Sequence, residues 1–66
     1  MKIQANGQER ELSDGKLLGE FLEENQYQRE RIAVELNGDI VPKSRYGETA
    51  LQEGDVLEVV SFVGGG

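Results

Sequence analysis

At 66 residues, with no cysteine and no histidine, the chain is one small domain that neither a disulfide nor a thiolate or imidazole metal site can reinforce. The same absences remove the commonest nucleophile and the commonest general base, which argues against an independent enzyme. Thirteen acidic against seven basic residues give a formal net charge of -6, which disfavours nucleic acid and anionic membrane surfaces and leaves a basic protein as the easier partner, although an acidic surface equally serves solubility alone.

A chain this short buries only about 60% of the surface its unfolded form exposes, so its core is small and the fold rests on packing. In Met1 to Ala5, Ile3 alternates with polar neighbours, and Asn6-Gly7 follows as a two-residue hairpin signal, since both positions of a type I′ turn need positive φ. A second strand is predicted over Gln8 to Leu12. Ser13, Asp14 and Gly15 are turn and N-cap residues, and Leu17, Leu18, Phe21 and Leu22 then recur with the spacing of a helix stripe, predicting a helix over Lys16 to Glu24. Glu20, Glu23 and Glu24 lie on its other side. They lack a second carboxylate cluster or the spacing of a calcium loop and read as a solvated face, so no metal site is expected. Asn25 is placed to stop the helix in the left-handed conformation.

Ile32, Val34 and Leu36 fall on one side of a third strand, and Asn37-Gly38 supplies a second tight turn before Ile40-Val41. Pro42 cannot donate to a ladder, which makes that arm short or an edge. From Lys43 to Leu51 the pattern is irregular, with Tyr46 and Leu51 as inward anchors, and Glu53-Gly54-Asp55 forms a turn. The last strand is predicted over Val56 to Val63. Leu57 and Val59 alternate onto one face, while Val56, Glu58, Val60 and Phe62 alternate onto the other, which Glu58 marks as exposed.

Two hairpin-like units around one amphipathic helix, closed by a final strand, give the order ββαββ. For Ile3 to share a core with Leu57 and Val59, the first and last strands must be adjacent and parallel. That is an α+β fold of the β-grasp (ubiquitin-like) type, a mixed sheet of four to five strands with the helix on one face. Val60 and Phe62 then stand on the open face beside Gly64, Gly65 and Gly66, and neighbouring exposed apolar residues commonly mark a partner surface. Residues 1-63 are expected to form the domain and residues 64-66 a flexible glycine tail. The sequence has no signal-peptide pattern and no run of 18 apolar residues, which favours a cytoplasmic protein, monomeric when alone.

Val34-Glu35-Leu36-Asn37-Gly38-Asp39-Ile40-Val41-Pro42-Lys43, the segment from Leu51 to Asp55, and the closing Phe62-Val63-Gly64-Gly65-Gly66 together carry a resemblance over essentially the whole chain. The chain resembles the ubiquitin-like sulfur carriers of the ThiS/MoaD family, and most closely their thiamin (thiazole) biosynthesis branch. It departs from that branch at Lys16, where relatives often place a threonine cap. The small subunit of molybdopterin synthase shares the fold and the Gly-Gly end, but it usually carries prolines before its tail and is longer. A protein-conjugating ubiquitin-like modifier ranks behind both, and a β-grasp interaction module that never uses its terminus is the rival of another class.

The resemblance implies a protein co-substrate rather than a catalyst, with no catalytic residue of its own. An adenylating (ThiF-like) enzyme would use ATP to convert the Gly66 carboxylate to an acyl-adenylate. Sulfur from a cysteine desulfurase or another donor would then displace AMP to leave a thiocarboxylate, and a thiazole synthase (ThiG-like) would consume the sulfur. The chain itself would bind no cofactor; ATP belongs to the partner. Gly64 and Gly65 would thread the partner's active site, and Val60, Phe62 and Val63 would dock. Glycine suits such a tail because a backbone without side chains enters narrow channels and approaches phosphates closely. The tail lacks the Lys and Ser or Thr of a P-loop, so no nucleotide site of its own is expected.

Overall fold

The computed structural model describes residues 1–62. Residues 63–66 lie outside it, and with them the expected domain boundary after Val63, the docking role of Val63 and the tail Gly64 to Gly66.

The first hairpin pairs β1 (Lys2–Ala5) with β2 (Gln8–Glu11). Asn6 and Gly7 join the strands at φ of 51° and 81°, the doubly positive geometry expected of that dipeptide. β2 ends at Glu11, one residue before the predicted limit. Its Arg10 faces inward opposite Ile3, where its guanidinium lies 5.3 Å from the Phe21 ring centroid and covers the core's edge.

The helix α1 spans Leu18–Glu24, two residues shorter at its start than the predicted Lys16 to Glu24. The cause is a competing partner. Leu17 forms an isolated antiparallel bridge with Ala50; the Leu18 N–H donates to the Thr49 carbonyl, and the Lys16 carbonyl accepts from Leu51. Leu17 is therefore held extended and takes the N-cap place expected of Ser13 to Gly15, with the Lys16 carbonyl already committed to Leu51. Leu17 has no side-chain acceptor, but the Glu20 carboxylate accepts from its N–H at 3.0 Å. Lys16 instead reaches along the helix to Glu24 at 2.6 Å.

The stop at the other end also differs from expectation. Asn25 has φ of -96°, and Gln26 carries the positive φ, 64°. Tyr27 N–H donates to the Leu22 carbonyl and Gln26 N–H to that of Glu23, the paired bonds of a Schellman motif with Gln26 as its left-handed residue. The Asn25 side chain bonds instead, donating to the Phe21 carbonyl and accepting from Arg10.

A 3₁₀ turn, Arg29–Arg31, leads into β3 (Ile32–Leu36), which pairs with the two-residue β4 (Asp39–Ile40) through the Asn37-Gly38 turn. A second 3₁₀ segment, Lys43–Glu48, buries Tyr46 as anticipated, and Leu51 is buried beyond it. The last described strand, β5 (Val56–Ser61), stands at the centre of a five-stranded sheet ordered β2-β1-β5-β3-β4. It runs parallel to β1 (Gln4↔Val56, Ala5↔Leu57) and antiparallel to β3 (Val34↔Val59, Leu36↔Leu57). The predicted parallel contact of first and last strands is present, and β4 with Pro42 after it is an edge. One face of the sheet meets α1. Ile3, Ile32, Val34 and Leu57 from the strands and Leu18 and Phe21 from the helix are at most 2% exposed, which puts the core where the alternation placed it. Fully burying one such side chain contributes about 1.5–3 kcal/mol.

Candidate docking face

The sheet face away from α1 is built by the residues that alternate with this core. On β5 these are Val56, Glu58 and Val60, with Phe62 following the strand; on β3 they are Ala33 and Glu35, and on β4 Ile40. Ile40, Val56, Val60 and Phe62 are 76%, 45%, 57% and 54% exposed, the large hydrophobic residues left outside the core. On β1 and β2 the same face carries Lys2, Gln4, Glu9 and Glu11, so its apolar half lies over β5, β3 and β4. Val60 and Phe62 are where the sequence placed them. Ile40, the most exposed of the four, belongs to the same patch but was missed, because in a strand of two residues no alternation is long enough to assign a face.

Two asparagines hold the strand that carries this patch. β1 pairs with β5 only as far as Leu57, and beyond it the Asn6 side chain takes over, Oδ1 accepting from the Val59 N–H at 2.8 Å and Nδ2 donating to the Val59 carbonyl at 3.3 Å. At the other end Asn37 Oδ1 accepts from the Val56 N–H at 2.8 Å, and its Nδ2 donates to Asp55 Oδ1 at 3.0 Å. The Phe62 N–H donates to the carbonyl of Arg31, the residue before β3, at 2.7 Å, which extends the pairing one step beyond both strands to the last described residue. Both asparagines read as turn residues in the sequence. The overlooked signal was their amide, which offers a donor and an acceptor to an unpaired peptide group where glycine at the same φ offers neither.

Behind the sheet, a hollow of about 330 Å³ lies between α1 and the second 3₁₀ segment, lined by Leu17, Glu20, Glu23, Tyr27, Arg29 and Tyr46 among others. Burial raises the Tyr46 hydroxyl above its ordinary pKa, partly countered by the nearby Arg29 guanidinium. Glu20, Glu23 and Glu24 are exposed, and no group of three carboxylates is arranged to hold a metal ion among the described residues. No helix of the described residues is long and apolar enough to cross a membrane.

A sequence model of the ThiS family matches residues 3–66. The chain belongs to the ThiS family. A sulfur carrier protein ThiS of Bacillus subtilis is 37% identical over 65 residues, which cover 97% of this chain and 98% of that one. A thiazole synthase of Paramagnetospirillum magneticum is 44% identical over all 66 residues, and one of Magnetococcus marinus 41% identical. This chain spans about a fifth of the length of each of those two synthases. Among solved structures, the crystal structure of the thiamine biosynthesis protein ThiS of Geobacter metallireducens superposes with a TM-score of 0.83 at 29% identity, each chain covered in full. The five-stranded mixed sheet with one main helix is thus the β-grasp fold of ThiS proteins.

Proposed function

We propose that this ThiS-family chain is a sulfur carrier of thiamin biosynthesis, a co-substrate whose Gly66 carboxylate is adenylated by a partner enzyme and then converted to a thiocarboxylate. The observation that carries the proposal is a match to a ThiS sulfur carrier over 98% of that protein's length, on a domain whose own residues lack a thiol and an imidazole. A terminal carboxyl, with a pKa of about 3.3–3.7, is ionised at neutral pH and attacks the α-phosphorus of ATP without a base from this chain. Pyrophosphate leaves in that step. In the next, the terminal sulfur of a donor persulfide attacks the acyl carbon and AMP leaves; a second thiol, such as that of free cysteine, then attacks the donor sulfur of the S–S bond, which frees the thiocarboxylate and leaves the donor in a disulfide. ATP and the catalytic groups then belong to the adenylating enzyme.

The sulfur passes to a thiazole synthase. The alignment of this whole chain with a fifth of two thiazole synthases supports that partner, because carrier-like and synthase sequence occur there in one polypeptide. Docking is assigned to Val60 and Phe62 on the exposed sheet face, together with Val63, and threading to Gly64 and Gly65. Three glycines reach about 10 Å at roughly 3.3–3.6 Å per residue. Ordering each of them costs about 1–2 kcal/mol, so affinity must come from the sheet face rather than from the tail.

The test is intact mass. Untagged chain incubated with the adenylating enzyme, ATP, cysteine and a cysteine desulfurase is expected to gain the difference between sulfur and oxygen, and the chain lacking Gly66 to gain nothing. An unchanged mass with partners active on another carrier would refute the proposal and favour an interaction module.

A further inference from the structure

At the centre of the exposed apolar half-sheet stand two carboxylates that face each other. Glu35 of β3 and Glu58 of β5 are directly opposed in register. The Asn37 N–H donates to Val56 and the Phe62 N–H to Arg31, so by the alternation of an antiparallel ladder the 35–58 position is also a hydrogen-bonded pair, with Cα atoms about 5.5 Å apart. Apolar side chains surround them: Ile40 beside Glu35, Val56 and Val60 on either side of Glu58, and Ala33 opposite Val60. Like charges placed this way destabilise a sheet.

None of the chain's own cations is paired with either carboxylate among the described residues. Of its seven basic side chains, Lys16 and Arg45 pair with Glu24 and Glu48, Arg10 lies over Phe21, Arg29 donates to the Lys43 carbonyl, and Lys43 donates to the Ile32 carbonyl. Lys2 is on the polar half of the face, and Arg31, at the end of the 3₁₀ turn that precedes β3, is four residues from Glu35, about 13 Å at 3.3 Å per residue. No ion pair among the described residues includes Glu35 or Glu58.

We infer that this face takes a protein partner that presents an arginine set among apolar side chains, its guanidinium entering between Glu35 and Glu58 while its neighbours cover Val60, Phe62 and Ile40. The inference rests on the docking face proposed above and adds the chemistry of what docks. A planar fork of N–H donors satisfies two carboxylates at once, which a single ammonium does less well. A second copy of this chain does not fit, because stacking two such faces would bury four carboxylates together.

Binding of the untagged chain to the adenylating enzyme and, separately, to thiazole synthase would be measured by calorimetry without ATP, at about 0.05 and 0.5 M salt, a range over which surface charge is strongly screened. E35Q/E58Q is expected to bind at least one of them tenfold or more weakly with less salt dependence, while its unfolding midpoint stays or rises. E58K, which supplies an internal cation to Glu35, should likewise raise the midpoint and weaken binding. Opposite signs for stability and affinity separate recognition from a structural role. If the wild-type chain acquires sulfur but E35Q/E58Q binds both enzymes within twofold of wild type, or the wild type itself binds neither, the inference is overturned and the carrier function stands; if the wild type neither acquires sulfur nor binds either enzyme, both fall.

Discussion

Replacing Asn6 by glycine isolates the side-chain clamp on β5 from the turn that holds it. Glycine adopts the φ of 51° without strain, so the hairpin geometry survives, but the bonds from Asn6 to the Val59 N–H and carbonyl are lost. Each net hydrogen bond contributes about 0.5–1.5 kcal/mol, and the 3.3 Å member belongs at the low end. Water can reach part of the opened site, so the expected loss is about 1–2 kcal/mol. For a 66-residue chain whose whole stability is about 3–10 kcal/mol, that is a large share. The corresponding fall in Tm is roughly 4–16 °C, at about 4–8 °C per kcal/mol for a domain of this size. Urea unfolding with an unchanged m-value would give the difference directly. Asn6→Asp, which keeps the acceptor for the Val59 N–H and lacks the donor, should fall between glycine and wild type. A midpoint for Asn6→Gly equal to wild type would show that the turn alone places β5 and that the clamp contributes nothing.

Gly19→Ala, normally favourable in a helix by about 0.5–1 kcal/mol, should lower Tm here because the new Cβ would lie 3.1 Å from the Tyr46 carbonyl oxygen; a higher Tm would mean that the 3₁₀ segment yields. Phe62→Asp should weaken binding to the adenylating enzyme yet change unfolding free energy by less than about 0.5 kcal/mol, since the side chain is 54% exposed. Calorimetry and urea titration on one sample check both halves. Tyr46 has its pKa raised in the folded state, so the native chain holds that proton more tightly than the unfolded one: stability is fully present below about pH 10 and declines as pH rises beyond it. Tyr46→Phe should flatten that alkaline decline in a stability profile; an equally steep loss would assign it to other groups.

The sheet was legible because its signals are local and redundant. Asn-Gly pairs name their turns, and alternation over the seven residues from Val56 to Phe62 assigns both faces of β5, with Leu57 and Val59 on one side and Glu58 on the other. Helix boundaries were less legible, since periodicity reports which residues are buried and not which backbone groups are already committed. Leu17 keeps helical spacing while its strand-like bridge to Ala50, 33 positions away, takes its backbone out of the helix. At the other end Gln26 took the left-handed position over Asn25 because the asparagine amide was engaged by Phe21 and Arg10. The docking face was half legible: Val60 and Phe62 followed from alternation, whereas the opposition of Glu35 to Glu58 depends on a register between strands 23 residues apart, which no single segment encodes.

The central place of β5 bears on how the molecule can assemble. β1–β2 and β3–β4 are each local hairpins, and β5 is the strand that pairs with a member of both. Until residues 56 to 61 are available, the chain owns two ribbons and a helix with no common surface to close on. Isolated two-stranded hairpins are marginal in water. Folding should therefore be late and all-or-none, with the joining of Gln4 to Val56 across 52 residues as its slow, entropy-limited event. The strand that completes the sheet is also the one that carries the docking face, so a half-folded molecule has nothing to offer a partner.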